Sequence, residues 1–474
     1  MAQLGKKLVE SHEQAGLDLT TFYGAGSSGT AMLKKMNVEE CMGPSPEAMR
    51  EAVSSAFSGG RFENSVIGAI PGPLHNWDIS SAYPYHTTFL PCLRHGRWRH
   101  TTRRAAVTMG TPALVRYTLG SAARDPLAMA WGPFPFRERD GSISYPIESG
   151  GGWVWSEEYI AGEETFSHVQ FREAWVYQRS CECKPFAKIP EYYKHRLQIG
   201  KEGAGLVIKL GVNSCYGKLA QSVGKPKFNS WIWAGMITSG TRAQILRMMQ
   251  LHNDPSNMLM IATDGILTRE TLNPPAPKDT GTAVVIHGKS KPLGGWEHKL
   301  APRGMFIARP GIYFPLDPTE EEIQTVRARG LGRSVIQAQW RLIVEAWERD
   351  GVKALATVAN VQRFCGAKTS ISMSKGGYKR ASRSVQLGLF GEAERPRKPA
   401  YGQWVSRPVE MSFDPMPKRS GVNSDGLTLT PRKFARDVES VPYSRAMRMG
   451  NAEGIEMICA KEEIDEQPDG DFSE

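Results

Sequence analysis

The chain has 474 residues, 40% of them hydrophobic and 23% charged, as in a folded protein with two or three subdomains. It has no apolar run of about 18 residues and no apolar segment after its basic start, so we expect neither a membrane span nor a secretion signal. Its seven cysteines are irregularly spaced and form no disulfide framework, which favours a reducing cytoplasm.

The net charge of +10 is unevenly distributed along the chain. Residues 453–474 contain nine acidic residues and one lysine, so the other residues together carry +18. A body this basic predicts a polyanionic partner, most simply a nucleic acid. The acidic end has the composition of a disordered tail.

The first 56 residues have the pattern of helices with a loop between them. Gly24, Gly26 and Gly29 match the spacing of a dinucleotide-binding fingerprint. No clear strand precedes these glycines and no βαβ unit follows, so we do not expect a nucleotide cofactor there. In the next turn, Gly59 and Gly60 permit close approach of another strand or of a phosphate.

A strand-like segment then ends in one acidic residue, Asp78, directly before a turn that contains Ser80, Ser81 and Tyr83. A carboxylate at a strand end, with free backbone behind it, is suited to a metal ion and a phosphate. The alternative is an ordinary strand, turn and helix with a solvated aspartate.

From about residue 108 to 180, short apolar runs alternate with turns, which predicts an antiparallel sheet. Cys181 and Cys183 follow this region and offer half of a metal site. Because no second pair of Cys or His follows at zinc spacing, we do not expect zinc to bind there.

The remaining elements alternate between helical and strand patterns. Helices are predicted near 190–200, 203–221 and 232–251, strands over 257–315, helices again near 319–327 and 335–349, and loops with short strands over 366–430.

The glycines between the first two of these helices predict an antiparallel hairpin. Lys209, Asn213 and Tyr216 share one face of the second helix, and Arg196 lies on the opposite arm. Two cations, an amide and an aromatic ring suit a triphosphate with its sugar or base. The alternative is a solvated basic face with Tyr216 in the core.

An apolar strand over 258–263 breaks at Asp264 and Gly265 and then resumes. This pattern predicts a hairpin with a carboxylate at its tip. The alternative is a plain type I′ Asp-Gly turn with no chemical role.

Together these segments resemble the motifs of family B DNA polymerases, in particular the phage enzymes, including the protein-primed branch. Residues 78–84 (Asp-Ile-Ser-Ser-Ala-Tyr-Pro) resemble the first palm motif, residues 209–217 (Lys-Leu-Gly-Val-Asn-Ser-Cys-Tyr-Gly) the fingers motif, and residues 261–265 (Ile-Ala-Thr-Asp-Gly) the last palm motif. Residues 57–60 are similar to the Tyr-x-Gly-Gly element and residues 309–313 to the basic-x-Tyr element. The resemblance covers roughly residues 55–335.

The resemblance implies an α+β fold in the form of a polymerase right hand, with an antiparallel-sheet palm, helical-hairpin fingers and a mixed thumb. The expected division is an N-terminal helical segment 1–56, palm 57–188 and 226–318, fingers 189–225, thumb and DNA-binding loops 319–452, and acidic tail 453–474.

The resemblance also implies template-directed addition of dNTPs to the primer 3′-OH of a primer-template DNA, in phage genome replication within a bacterial cytoplasm. Two Mg²⁺ ions, for which Mn²⁺ can substitute, would be held by Asp78, Asp264 and the carbonyl of Ile79. The implied nucleotide contacts are Ile79, Tyr83, Arg196, Lys201, Lys209, Asn213 and Tyr216, with Tyr83 beneath the sugar. The implied DNA contacts are Gly59, Gly60, Arg309, Tyr313, Arg329, Arg333, Lys379 and Arg380.

The chain departs from the family pattern in two places. In the last motif, Ala262 replaces an aspartate and Gly265 replaces a serine. About 75 residues precede Asp78 and contain no Asp-x-Glu motif, so we expect no intrinsic 3′–5′ exonuclease and a separate subunit for proofreading. The short distance from Asn213 to Asp264 also leaves little room for the insertion of the protein-primed branch.

One further motif and two other functions stay open. Gln386, Leu387, Leu389 and Phe390 resemble the peptide by which bacterial replication proteins bind a sliding clamp, although such apolar segments also occur in cores.

The first other function is a polymerase-like DNA-binding accessory subunit with weak or no catalysis, which Ala262 and Gly265 favour. The second is a metal-dependent nuclease, which needs a third carboxylate that the sequence does not identify.

Overall fold

The computed structural model describes residues 2–18, 22, 24–122, 125–139, 141–200, 202–221, 226–281, 284–286, 289–324, 326–328, 333–351, 360–366, 404–410 and 418–443. The helices are α1 Ala2–Gln14, α2 Ala25–Lys35, α3 Arg50–Ala56, α4 Ala82–Thr88, α5 Pro126–Ala130, α6 Ser156–Thr165, α7 Ile189–Ile199, α8 Ala204–Ala220, α9 Trp231–Met249, α10 Glu320–Ile323 and α11 Arg333–Asp350.

The strands of the first half are β1 Arg61–Asn64, β2 Gly68–Pro71, β3 Leu74–Ile79, β4 Gly96–Thr101, β5 Ala113–Leu119, β6 Phe136–Arg137, β7 Ile143–Ser144, β8 Gly150–Trp155 and β9 Val169–Arg179. Those of the second half are β10 Met258–Thr263, β11 Gly265–Thr268, β12 Val284–Ile286, β13 Lys289–Lys291, β14 Trp296–Ala301, β15 Gly304–Arg309, β16 Ile312–Pro315, β17 Arg327–Ala328, β18 Asn360–Gly366, β19 Trp404–Glu410, β20 Arg419–Val422, β21 Leu429–Pro431 and β22 Val438–Glu439. The chain is thus a mixed α+β protein.

A five-stranded antiparallel sheet in the order β1-β10-β11-β3-β14 forms the centre. Both of its faces are covered, because Ile261 and Ile266 pack into one apolar cluster while Met260 and Leu267 pack into another. A strand buried on both faces has a continuous apolar sequence, which explains the run from Met258 to Ile261.

A second sheet, in the order β22-β8-β5-β9-β4, shares a core with the first. Helix α9 lies between them and contacts α6, β8 and β10. The expected antiparallel sheet is confirmed over β5, β8 and β9, with β22 added in parallel at one edge. The three helices predicted near 190, 203 and 232 are also confirmed, as α7, α8 and α9.

A third sheet, in the order β17-β16-β15-β2, packs against α11 through a cluster that contains Phe306, Ile336 and Trp347. Here the helix expected over 319–327 is wrong in its second half. A Thr319–Glu322 capping box starts α10, but the helix ends at Ile323 and Arg327 joins the edge of β16 as part of β17. Pairing with β17 gives strand β16 a hydrogen-bonding neighbour at its edge, and this pairing is more favourable than continuation of the short helix α10.

The glycines of the fingerprint-like segment lie in and next to helix α2, which packs against α8. A Cβ on Gly29 would lie 2.9 Å from the Cβ of Ser214, and one on Gly26 would lie 2.9 Å from Cε of Lys218. These glycines permit close helix packing. In the described part of the chain, no helix combines the length and apolar character that crossing a bilayer requires.

Candidate functional site

Strand pairing brings Asp78 and Asp264 together at one end of the central sheet. Gly265 lies opposite Asp78 in the β11–β3 register, and the Ile79 amide donates to the Asp264 carbonyl at 2.7 Å. The turn between β10 and β11 consists of Thr263 and Asp264, and Thr263 has a left-handed φ of 63°. The alternative prediction, a type I′ turn centred on Asp264 and Gly265, is therefore wrong in its turn geometry. A β-branched residue with positive φ is unusual and is typical of functional sites.

The two carboxylates are half-buried and close to one another. Burial raises the pKa of Asp78, and the charges of Arg327 and Lys299 oppose that rise. Burial and the charge of Asp78 raise the pKa of Asp264 to about 7. Two neighbouring carboxylates with raised pKa values favour binding of a cation between or beside them.

A third carboxylate lies across the sheet from this pair. Glu297 on β14 is directly opposite Asp78 and contributes to the rise in its pKa. Directly opposed residues share a face of the sheet, so Ala262, Gly265, Asp78 and Glu297 form one row. Glu297 could not be predicted as a neighbour of Asp78, because its position depends on the register of a distant strand. Its side chain also pairs with Lys291 at 3.6 Å.

Gly265 allows β3 to approach the hairpin closely. A Cβ at this position would lie 3.0 Å from the Trp77 carbonyl oxygen and 3.3 Å from Asp78 Oδ1. A serine here would crowd the carboxylate in this arrangement.

Tyr83 connects the aspartate pair to the helical hairpin of α7 and α8. It lies on α4, and its ring centroid is 4.6 Å from that of Tyr216 on α8. Gly60 passes close to the same ring, since a Cβ there would lie 3.1 Å from the Tyr83 hydroxyl and 2.6 Å from Cγ2 of Thr263. The groups that approach Gly60 closely, as the sequence predicts, are thus the side chains of Thr263 and Tyr83.

A buried ion pair holds the turn that contains Gly59. Arg242 on α9 donates to the carbonyls of Ser58 and Gly59 at 2.8 and 2.6 Å, and binds Glu158 at 2.6 Å. Both charged side chains are at most 2% exposed. Neither was predicted, although an arginine within the apolar sequence of α9 was a usable signal.

The helical hairpin presents its polar residues as expected. Lys209 and Asn213 are exposed on α8, while Tyr216 is half-buried against Tyr83. Arg196 on α7 is half-buried, and its charge opposes the burial-driven rise in the pKa of Tyr193. The hydroxyl of Tyr193 is 3.2 Å from Oγ of Ser80, two residues after Asp78.

A cleft between the central sheet and the third sheet reaches Asp78. Its lining includes three cations, Lys299, Arg303 and Arg327, together with Tyr313. Burial raises the pKa of Tyr313, and Arg327, which lies opposite it in the β16–β17 register, lowers it.

Several predicted contact residues lie elsewhere. Arg309, at the end of β15, and Arg333, exposed at the start of α11, do not line this cleft. Lys201, Arg329, Lys379, Arg380 and the clamp-like residues Gln386, Leu387, Leu389 and Phe390 lie outside the described residues, as does the tail 453–474.

No family model matches the chain, and no curated protein matches it. Over part of its length it is similar to solved structures of Phi29 DNA polymerase. A complex with primer-template DNA has 14% identity and a TM-score of 0.40, covering 64% of this chain and 56% of that one. A ternary complex with primer-template DNA and incoming nucleotide substrates has 16% identity and a TM-score of 0.42, with the same coverage.

An orthorhombic crystal form of the same polymerase has 16% identity and a TM-score of 0.42, covering 66% of this chain and 60% of that one. The chain thus spans less than two thirds of the length of these neighbours. What the site can do chemically follows from its own geometry.

Proposed function

We propose that this protein is a DNA-directed DNA polymerase, a nucleotidyltransferase that adds deoxynucleotides to a primer 3′-OH in phage genome replication. The observation that carries the proposal is the meeting of Asp78 and Asp264 at adjacent strand ends, next to the Tyr83–Tyr216 contact with the helical hairpin. Half-buried paired carboxylates beside a hairpin with exposed polar side chains suit metal-assisted transfer from a triphosphate.

The donor set fits Mg²⁺. Carboxylate and carbonyl oxygens are the ligands that this hard cation prefers, and burial together with the charge of Asp78 keeps the pKa of Asp264 raised despite the charge of Arg327. Asp78, Asp264 and the carbonyl of Ile79 would hold the metal. Two bound ions supply stabilisation of the attacking and leaving oxygens, a role in which Mn²⁺ can substitute for Mg²⁺.

The chain's own side chains would position the nucleotide and the DNA. Arg196, Lys201 and Lys209 neutralise the triphosphate, and Asn213 orients it. The Tyr83 ring would lie under the sugar, where a 2′-hydroxyl would clash with it, and this clash would favour deoxynucleotides.

The cleft beside Asp78 would bind backbone phosphates of the DNA through Lys299, Arg303 and Arg327. A sliding clamp bound through residues 386–390 and a separate exonuclease subunit are further partners of this proposal.

Extension of a labelled primer-template with Mg²⁺ and dNTPs tests the function. We expect the wild-type protein to extend the primer, and Asp78→Asn and Asp264→Asn each to lower the rate by about 100-fold or more, because each removes a metal ligand. Asp279→Asn is the matched control, since Asp279 is exposed, and it should extend normally. Undiminished extension by Asp264→Asn would overturn the assignment.

An accessory DNA-binding role is the second candidate, favoured by Ala262, which leaves the row beside Asp78 without the family's additional carboxylate. Tight primer-template binding without extension in Mg²⁺ or Mn²⁺ would support it. Degradation of the DNA without dNTPs would instead indicate a nuclease, for which Glu297 supplies a third carboxylate.

A further inference from the structure

Four side chains of types that commonly ligate metal ions lie together at one end of the second sheet. Cys92 and His95 lie in the loop between α4 and β4, and Cys181 and Cys183 follow β9 directly. Strands β4 and β9 are antiparallel neighbours, which brings the two loops side by side. The four ligand atoms all lie within 4.8 Å of one another.

The two nitrogen–sulfur distances that His95 makes match the edges of a tetrahedral site. Nδ1 of His95 is 3.5 Å from Sγ of Cys92 and 3.6 Å from Sγ of Cys183. Zinc bonds of about 2.3 Å to sulfur and about 2.0 Å to nitrogen place such atoms about 3.5 Å apart at the corners of a tetrahedron. A disulfide would join two of the thiols and would not account for the imidazole between them.

Backbone hydrogen bonds hold both loops independently of any ligand. The amide of Ser180 donates to the carbonyl of His95 at 3.0 Å, and the amide of Leu93 donates to the carbonyl of Cys41 at 2.8 Å. The Arg179 side chain also donates to the Cys181 carbonyl. The ligands are therefore arranged in advance, which lowers the cost of ordering them on binding.

We propose that Cys92, His95, Cys181 and Cys183 bind one structural Zn²⁺ ion. Three thiolates and an imidazole form a donor set that zinc favours over the oxygen-preferring cations. Four protein ligands leave no open position for water or substrate, so the role is structural rather than catalytic. The ion would tie the loop after α4, the helix of Tyr83, to the segment that leads into α7.

The expectation against zinc considered only residues that follow Cys183 in the sequence. Cys181 and Cys183 have no partner pair after them, but Cys92 and His95 precede them, with His95 88 residues before Cys183. Only the pairing of β4 with β9 makes the four residues neighbours. The proposal does not depend on the polymerase function.

Metal analysis of the purified full-length chain tests the proposal. We expect about one zinc ion per wild-type chain, and tetrahedral Co²⁺–thiolate absorption when cobalt replaces zinc. His95→Ala should lower zinc affinity by at least about tenfold, and His95→Cys should retain the metal with stronger sulfur-to-cobalt charge transfer. His95 is exposed, so neither change disturbs the core.

Cys41→Ser is the matched control. The Cys41 carbonyl is 3.8 Å from Sγ of Cys92, but its thiol is outside the four-residue group, so this variant should keep its zinc. Wild-type protein without zinc and without tetrahedral cobalt absorption would overturn the proposal. Equal zinc loss in Cys41→Ser and His95→Ala would overturn the assigned ligands, and circular dichroism of each variant separates such loss from unfolding.

Discussion

Asp264 is an acid whose surroundings oppose its ionisation. Its pKa rises from 3.8 to about 7 because it is buried and because Asp78 is close. A folded-state pKa above the unfolded value stabilises the protein below the unfolded pKa, and that stabilisation is lost as the pH rises through about 7. At about 1.4 kcal/mol per pKa unit, a rise from 3.8 to about 7 means that ionised Asp264 costs the metal-free fold on the order of 4 kcal/mol.

Replacement of this carboxylate should therefore stabilise the metal-free protein. We expect Asp264→Asn to raise the midpoint of thermal unfolding at pH 8 without divalent ions, and to have much less effect near pH 4, where the wild-type carboxyl is protonated in the folded state and about half protonated in the unfolded state. Added Mg²⁺ should raise the wild-type midpoint at pH 8 and raise that of the variant less. Differential scanning fluorimetry at both pH values measures this.

The exposed Asp279→Asn serves again as the control and should match the wild type at both pH values. A variant Asp264→Asn that is less stable than the wild type at pH 8 would show that the carboxylate is already compensated within the chain.

Helices α2 and α8 pack so closely that their glycines determine the contact. A Cβ on Gly29 would lie 2.9 Å from Cβ and 3.0 Å from the backbone carbonyl carbon of Ser214, both on a rigid helix. Gly217, on the same α8 helix, has open space around its Cβ position. The same substitution should thus have opposite effects at the two sites.

We expect Gly29→Ala to destabilise the protein by about 1–3 kcal/mol through overpacking. Gly217→Ala should be neutral or stabilise it by up to about 1 kcal/mol, because alanine favours the helix and meets nothing. Urea unfolding of the two variants beside the wild type measures both values. Similar destabilisation by both would contradict a role for Gly29 in close packing.

The elements that the sequence predicted are those set by local signals. The glycines near 200 and the apolar periodicity around them predicted α7 and α8 to within two residues. Strand β17 and the position of Glu297 opposite Asp78 were not predictable, because they depend on which strands pair. Glu297 reaches Asp78 only through the β14–β3 register, and no sequence spacing encodes that register.

At the scale of the whole molecule, the uneven distribution of charge affects how strongly the protein binds a polyanion. The net charge is +10, but the residues before 453 carry +18 and the last 22 carry −8. A polyanionic segment near the basic body competes with DNA phosphates for its positive charges. Salt weakens this competition, because at 0.1 M charge interactions are screened beyond about 10 Å. The acidic end should therefore weaken binding of DNA, most strongly at low salt.

Removal of residues 453–474 tests this competition. We expect the truncated chain to bind a primer-template about 3- to 10-fold more tightly at 50 mM salt, with the difference shrinking as salt rises. Fluorescence anisotropy over a salt series measures it. A full-length variant with the nine acidic residues changed to Asn or Gln separates charge from length, because it should bind as tightly as the truncated chain. Equal affinities of wild-type and truncated protein at low salt would show that the acidic end does not compete with DNA.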